Sequence, residues 1–524
     1  MSFARNLLLP MLLSAWCSWL PAQAPPAWVQ GQGQDPAAYP AARFLTGYGL
    51  SSPGGDQAEQ RRQAVAMAQE ALASAIRTHI SSEFTSRVTQ KDQHMTRYAQ
   101  NLVRTHADLD LQGVDTVLSW HDPKGNVTHA LAVLDKPRTV HLLDGQLQRQ
   151  AAECATAFDR GRAANDPAGL LQARHLREAL EETLVVRAVL APEPPPAVAA
   201  PAAADITAEL RRVYGSRAGL DRYVALAALD LDNDLPKGIR VLMDRITFAD
   251  TPFCGTLSAW LEQSLAAQLA SSGQVRILDK GQGLQALRAS AMEGGLGGAL
   301  EAQAAVRGVV LDLGEEVVVT LRAISATGEE LAAAKVVLPA QLVRRAGLKL
   351  VPDNYQEARK ALEICDAQVQ ASKLQVKVAL DRGDGGIYRR GEKLHLFVKA
   401  NMDCYLKVLY HQVDGTKVLV FPNKYHTEAR IQRDRLYQIP PDDNSFDLEV
   451  TPPFGAELVK VIACTDPIDV PTEAPDPSSG LAVVRQELGS LLVTSRSIVV
   501  KKAEAQYGEA TAVVNTMEAA AKAN

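Results

Sequence analysis

Between residues 191 and 205 the chain reads APEPPPAVAAPAAAD, and this stretch constrains the fold more than any other. Proline has no backbone N–H and fixes φ at about −65°, so a run this rich in it neither enters a helix interior nor pairs within a sheet. It reads as an extended, semi-stiff spacer over 191–204 that divides a chain of 524 residues. That length is itself too great for one ordinary core, and about three domains are expected. A hydrophobic fraction of 47% suffices to fold them. The net charge of −5 and the 5% of aromatics give no footing for nucleic acid, which needs a basic face or a stacking platform.

The first residues read as an export signal over 1–24. Arg5 supplies the positive end, and Leu7 to Leu20 form a mostly apolar run too short to span a bilayer unless extended. Ala22 and Ala24 offer a cleavage site, although Pro25 behind them impedes it. Cys17 invites a lipid anchor, but the bulky Trp16 stands where a small residue is required, so plain export is the expectation. Export permits disulfides, yet Cys154, Cys254, Cys365, Cys404 and Cys464 are odd in number and scattered, with no C-x-x-C pair.

Residues 25–37 read as an irregular arm, and 38–190 as a first domain. There a small-residue apolar stripe, Ala64, Ala68, Ala71, Leu72, Ala75, Ile76 and Ile80, predicts a long helix over 57–90. The strands VDTVLSW and THALAVLD follow across a turn, then helix to about 190 with a break at Asn165-Asp166-Pro167. Residues 205–370 alternate strand and helix before three consecutive strands, which predicts a mixed α/β sheet with helices on one face. Residues 371–524 hold short strands: KLHLFVKA, CYLKVLYH and KVLVF around the Asp414-Gly415 turn, then DLEVTPP, ELVKVIAC and RSIVVKK. They predict an antiparallel β-sandwich. The fold class expected is an α+β multidomain protein.

Chemistry-bearing motifs fare poorly. Gly47, Gly49 and Ser52 in RFLTGYGLSSPGG approach a dinucleotide fingerprint, but the helix begins too late to meet a phosphate, and no βαβ unit follows. Phe44 and Leu45 are expected on a short strand, with the glycines allowing a bend or close packing. Asp230, Asp232 and Asp234 alternate as in a calcium loop, but Leu235 replaces the turn glycine and Val241 the closing Glu, so a solvated acidic turn is expected. Arg382-Gly383-Asp384 matches an adhesion tripeptide only by its three letters. His121 and His129 flank the hairpin and could face each other across it as a surface pair. GGLGG at 294–298 reads as a loop, and Asn126-Val127-Thr128 as a glycosylation sequon without meaning in a bacterium. Neither a hydrolase elbow nor a phosphate loop occurs. No catalytic, cofactor-binding or metal-binding residue is expected.

Three segments resemble families. RFLTGYGLSS, the Ala-periodic helix and LQGVDTVLSWHDPKGNVTHALAVLDK resemble the small bacterial outer-membrane surface-lipoprotein domain, whose opening aromatic-x-x-G-x-G contains Gly47 and Gly49. The middle region is similar in layout to the N-terminal domain of TolB, the curli-secretion protein CsgG and the flagellar outer-ring protein FlgT. The C-terminal region resembles a widespread bacterial domain of unknown function. Its marks are Asp403-Cys404-Tyr405-Leu406, Asp414-Gly415, Phe421-Pro422-Asn423, Ile439-Pro440 and Pro453-Phe454-Gly455. Membership of that motif implies a packing role for Cys404, while pairing with Cys464 stays open.

Together these imply an exported, non-enzymatic envelope protein of the periplasm or outer membrane, binding other envelope proteins or components as a scaffold or assembly factor. Peripheral outer-membrane association and oligomer formation are compatible with it. The alternatives are a component of a secretion or flagellar outer-ring apparatus, and a hydrolase with an unrecognised site.

Overall fold

The computed structural model describes residues 24–87, 114–191, 193–278, 302–366, 373–441, 446–467, 469–473, 475, 481–485 and 506–519. The expected signal segment with Cys17, the GGLGG loop and the strand RSIVVKK lie outside the described residues. The chain divides into two compact units, one of Met1–Asp159 and Gln172–Ala203, the other of Arg160–Leu171 and Ala204–Asn524.

In the first unit a sheet of β1 (Phe44–Leu50), β2 (Val114–Asp122) and β3 (Val127–Asp135), ordered β1-β3-β2, carries one long helix, α2 (Gln57–Arg87), on one face. A short helix, α1 (Ala27–Gln30), lies within the arm and packs Trp28 with Leu131 and Val133, which point the other way. The strand β1 runs straight through the glycine pair. Gly47 sits opposite Ala132 and Gly49 opposite Ala130, so the face toward α2 is paved with small residues. A Cβ on Gly47 would lie 2.2 Å from the Ala68 carbonyl oxygen, and one on Gly49 2.1 Å from that of Ala64. Close packing, rather than a bend, is therefore what these glycines provide. Gly54 and Gly55, at φ +92° and +95°, then turn the chain into α2. Helices α3 (Lys136–Ala164) and α4 (Pro167–Leu190), whose residues 160–171 are assigned to the second unit, break where expected: Asp166 accepts the N–H groups of Ala168 and Gly169 at 3.0 Å each, and Pro167 opens α4.

In the second unit, α5 (Ala203–Gly215) and α6 (Asp221–Asp234) precede a five-stranded sheet. Its strands are β4 (Arg240–Phe248), β5 (Arg276–Leu278), β6 (Ala304–Asp312), β7 (Glu316–Ser325) and β8 (Glu330–Pro339), ordered β5-β4-β6-β7-β8. The neighbours of β4 are parallel to it and the last two pairings antiparallel. Leu257, Leu261, Leu265 and Leu269 of α7 (Thr256–Ser272) and Val224, Ala227, Ala228 and Leu231 of α6 fill one core with the sheet. The expected acidic turn is instead the end of α6. The apolar helical spacing of Ala227, Ala228 and Leu231 carries the helix to Asp234 and buries Asp232.

Helices α8 (Ala340–Arg345) and α9 (Tyr355–Asp366) lead to a sandwich of two sheets. The smaller joins β9 (Val376–Leu380), β11 (Leu396–Ala400) and β15 (Tyr437–Ile439). The larger follows the path β10 (Gly386–Arg389), β18 (Tyr507–Met517), β16 (Ala456–Cys464), β12 (Cys404–His411), β13 (Lys417–Phe421), β17 (Ala482–Val483), with β14 (Arg430–Ile431) beside β12. Its pairings are antiparallel except that of β10 with β18. The segment DLEVTPP forms no strand. It runs beside 391–394 through one isolated bridge, Lys393 with Glu449, and the backbone bonds flanking it, and then meets two prolines that lack N–H groups.

Every residue of β16 is buried, because both faces of the larger sheet are covered. Val459, Val461 and Ala463 face the smaller sheet, while Leu458 and Ile462 face Ala358, Ala361 and Cys365 of α9. The loop after β4 is also stitched to the sandwich. Asn515, 1% exposed, accepts from the Cys254 N–H at 3.0 Å and donates to the carbonyls of Pro252 at 3.0 Å and Gly385 at 2.8 Å.

Candidate functional site

The C-terminal signature residues are structural at their places. Cys404 starts β12 inside the sandwich core. Its neighbour Tyr405, not Cys404, pairs with Cys464, so the two thiols point to opposite faces and neither is in a disulfide. Burial pushes the Cys404 thiol up to about 11, away from thiolate reactivity. Asp414 accepts the Thr416 N–H at 2.9 Å, and Gly415 takes φ +85° to close the β12–β13 hairpin. Asn423 accepts from Tyr425 and His426 and donates to Val420, holding the turn after Phe421. Pro422, Pro440 and Pro453 each follow a cis peptide bond. Gly455 admits the Asn354 side chain, whose Oδ1 would lie 2.5 Å from an added Cβ. Gly47 and Gly49 belong to the other unit.

The remaining motifs are also absorbed. The adhesion-like tripeptide is engaged within its own unit: Arg382 pairs with Glu392 at 2.6 Å and lies over the Tyr388 ring, while Asp384 accepts the Val513 N–H at 2.7 Å. His121 and His129 do not face each other. His129 is opposite Trp120 and His121 opposite Thr128, and alternation along a strand sends them to different faces. The phenol of Tyr48 meets His129 Nδ1 at 2.6 Å, and burial lowers the basicity of that imidazole.

Two clusters that the motif reading missed hold the unit's concentrated polar chemistry. Inside the sandwich, Tyr410 on β12 donates to Glu457 on β16 at 2.8 Å. Burial raises the Glu457 carboxyl to about 7, against the hydrogen bonds from Tyr410, the Val413 N–H and Thr516. Nearby, the fully buried Tyr388 donates to Asp381 at 2.5 Å, and burial raises that carboxyl too. The signal for Glu457 was present: AELVKVIAC places Glu457 and Lys460 in an otherwise apolar strand.

The second cluster lines an open cavity of about 480 Å3 between the loop after β4 and α9. Phe253 and Leu362 give it an apolar floor, with Phe253 edge-on to Tyr355 at 5.4 Å. Asp250, Glu363 and Asp366 form the rim with Arg359, which donates to Glu363 at 3.0 Å. The helical spacing of Arg359, Glu363 and Asp366 was readable, but the approach of Asp250 was not. Among the described residues, no group of three side chains is placed to hold a metal ion, and no helix is long and apolar enough to cross a membrane.

Comparison with known proteins places a family on part of this unit. Residues 387–467 match the family described as a domain of unknown function, DUF4384, and the signature from Asp403 to Gly455 lies inside that range. No curated protein matches the chain. Among solved structures, the LpoB C-terminal domain from Escherichia coli is similar at 14% identity, over 22% of this chain and 96% of that one, with a TM-score of 0.20. The same domain from Salmonella enterica gives 12%, 24%, 98% and 0.19. The secreted protein HP1454 from Helicobacter pylori is similar at 9% identity, over 58% of this chain and 90% of that one, with a TM-score of 0.22.

Proposed function

We propose that the chain is an exported, non-enzymatic cell-envelope protein that binds other envelope proteins or components as a scaffold or assembly factor. The observation that carries this reading is an apolar row across the middle sheet. Leu311, Val318 and Val337 stand side by side on β6, β7 and β8, on the face away from α6 and α7. Leu311 and Val337 remain 42% and 40% exposed on either side of the buried Val318, and Leu313 beyond them 64%. Grouped exposed aliphatics of this kind suit a protein partner. The export-like first residues and the sequence resemblances point to the envelope as the compartment.

Subcellular fractionation followed by cross-linked capture tests the reading. The full chain is expected in the envelope fraction, cross-linked to a discrete envelope component. Recovery in the cytoplasm would end the proposal.

A further inference from the structure

The strand β8 forms one border of its sheet: β7 pairs with it on one side and, among the described residues, no strand lies on the other. Ala340 N–H donates to the Glu315 carbonyl at 2.9 Å in continuation of the β7–β8 register. That bond sets the phase of the antiparallel ladder. The peptide groups of Leu338, Val336, Ala334 and Ala332 turn toward β7, and those of Val337, Lys335 and Ala333 turn outward. All three of the latter are exposed. The border thus offers N–H and C=O groups of the kind an added strand takes up.

The side chains along this border are not uniform. On the face away from the helices, Val337 continues the apolar row, Lys335 follows opposite Thr320, and Ala333 lies opposite Arg322. Arg322 meets Glu330 at 3.5 Å, whereas Lys335 has no ion-pair partner among the described residues. On the helix face, Ala332, Ala334 and Leu338 belong to the core with α6 and α7. Two copies of β8 paired about a two-fold axis through Lys335 would set lysine against lysine, an unfavourable cross-strand pair. A different strand, acidic where it crosses Lys335 and apolar where it crosses Val337, satisfies both.

We infer that the outer border of β8 is a strand-addition site for an extended peptide that places a carboxylate beside Lys335 and an aliphatic side chain beside Val337. This rests on the reading of the chain as a binding protein and names the partner's chemistry. The peptide's alternate side chains read aliphatic, acidic, aliphatic on one face, with small or apolar residues on the other continuing the layer beneath α6.

The test uses the full chain and two labelled peptides, TVTETVT and TVTKTVT, with fluorescence anisotropy as the readout. The acidic peptide is expected to bind about tenfold more tightly, since the swap replaces an attractive cross-strand pair by a repulsive one. Lys335→Glu should reverse that order. Ala333→Pro, which removes an outward N–H and no bond to β7, should abolish binding of both peptides while leaving the melting temperature nearly unchanged. Should Ala333→Pro fail to fold, the reversal by Lys335→Glu still decides. Equal binding of both peptides to wild type and Lys335→Glu overturns the proposal, as does binding to a folded Ala333→Pro or no binding at all. Envelope cross-linking of wild type and Lys335→Glu separates this failure from that of the parent reading. Capture that survives unchanged in the variant rejects the β8 site alone, and capture by neither rejects the scaffold function.

Discussion

Glu457 ionises where the fold resists it. Its ordinary value of 4.5 rises to about 7 in the folded protein because burial penalises the charge. Between those values the folded state holds the proton more firmly than the unfolded chain does. Stability from this group is therefore full below pH 4.5 and lost as pH climbs to 7, a component of about 3 kcal/mol. Glu457→Gln keeps an acceptor for Tyr410 without the charge, so its urea midpoint should stay level over a range where that of wild type falls. A parallel fall in the variant would assign the pH dependence elsewhere. Two further positions follow from contact geometry. Gly47→Ala drives a methyl into the Ala68 carbonyl and should cost about 3 kcal/mol. Asn515→Ala strands the Cys254 N–H and two carbonyls and should cost a similar amount, about 3 kcal/mol. Denaturant titrations measure both.

At the scale of elements, α9 is held on the large sheet at both ends. Asn354 exchanges two hydrogen bonds with the Ala456 backbone, at 2.8 and 2.9 Å. Lys460 donates to the Cys365 carbonyl at 2.9 Å while paired to Glu509 at 2.6 Å, with both side chains almost wholly buried. Lys460→Ala leaves a buried carboxylate alone and should cost about 3–5 kcal/mol, whereas Lys460→Met with Glu509→Leu should recover most of that. Hydrogen exchange over 355–366 should quicken in the single variant and return toward wild type in the double. An unchanged exchange rate in Lys460→Ala would show that the pair does not fasten the helix. This arrangement also marks what the sequence could tell. Periodicity found α2 and the strands β6 and β8 because each buries one face, leaving a period to read. The packing of α9 on β16 was not readable, since a strand buried on both faces carries no alternation and its helical cover lies about a hundred residues away. The strand β18, YGEATAVVNTM, was missed because Gly508, Glu509 and Thr511 interrupt its apolar pattern, while register supplies each with a place. The site was less legible still: motifs are local, and the Asp250 cavity and the β8 border arise from chain pairing.

At the scale of the molecule, two compact units should melt as two calorimetric transitions. Gly47→Ala should lower one alone and Asn515→Ala the other alone. Because Asn515 ties loop 252–254 to β18, the middle sheet and the sandwich should share that second transition; three resolved peaks would contradict this. The position of β18 has a consequence for biogenesis. It lies between β10 and β16 and bonds to Asp384 across 129 residues of sequence. A ribosome delivering the chain from its N-terminus presents β10, β12, β13 and β16 well before the strand that unites them, so β16 keeps an open border until β18 arrives.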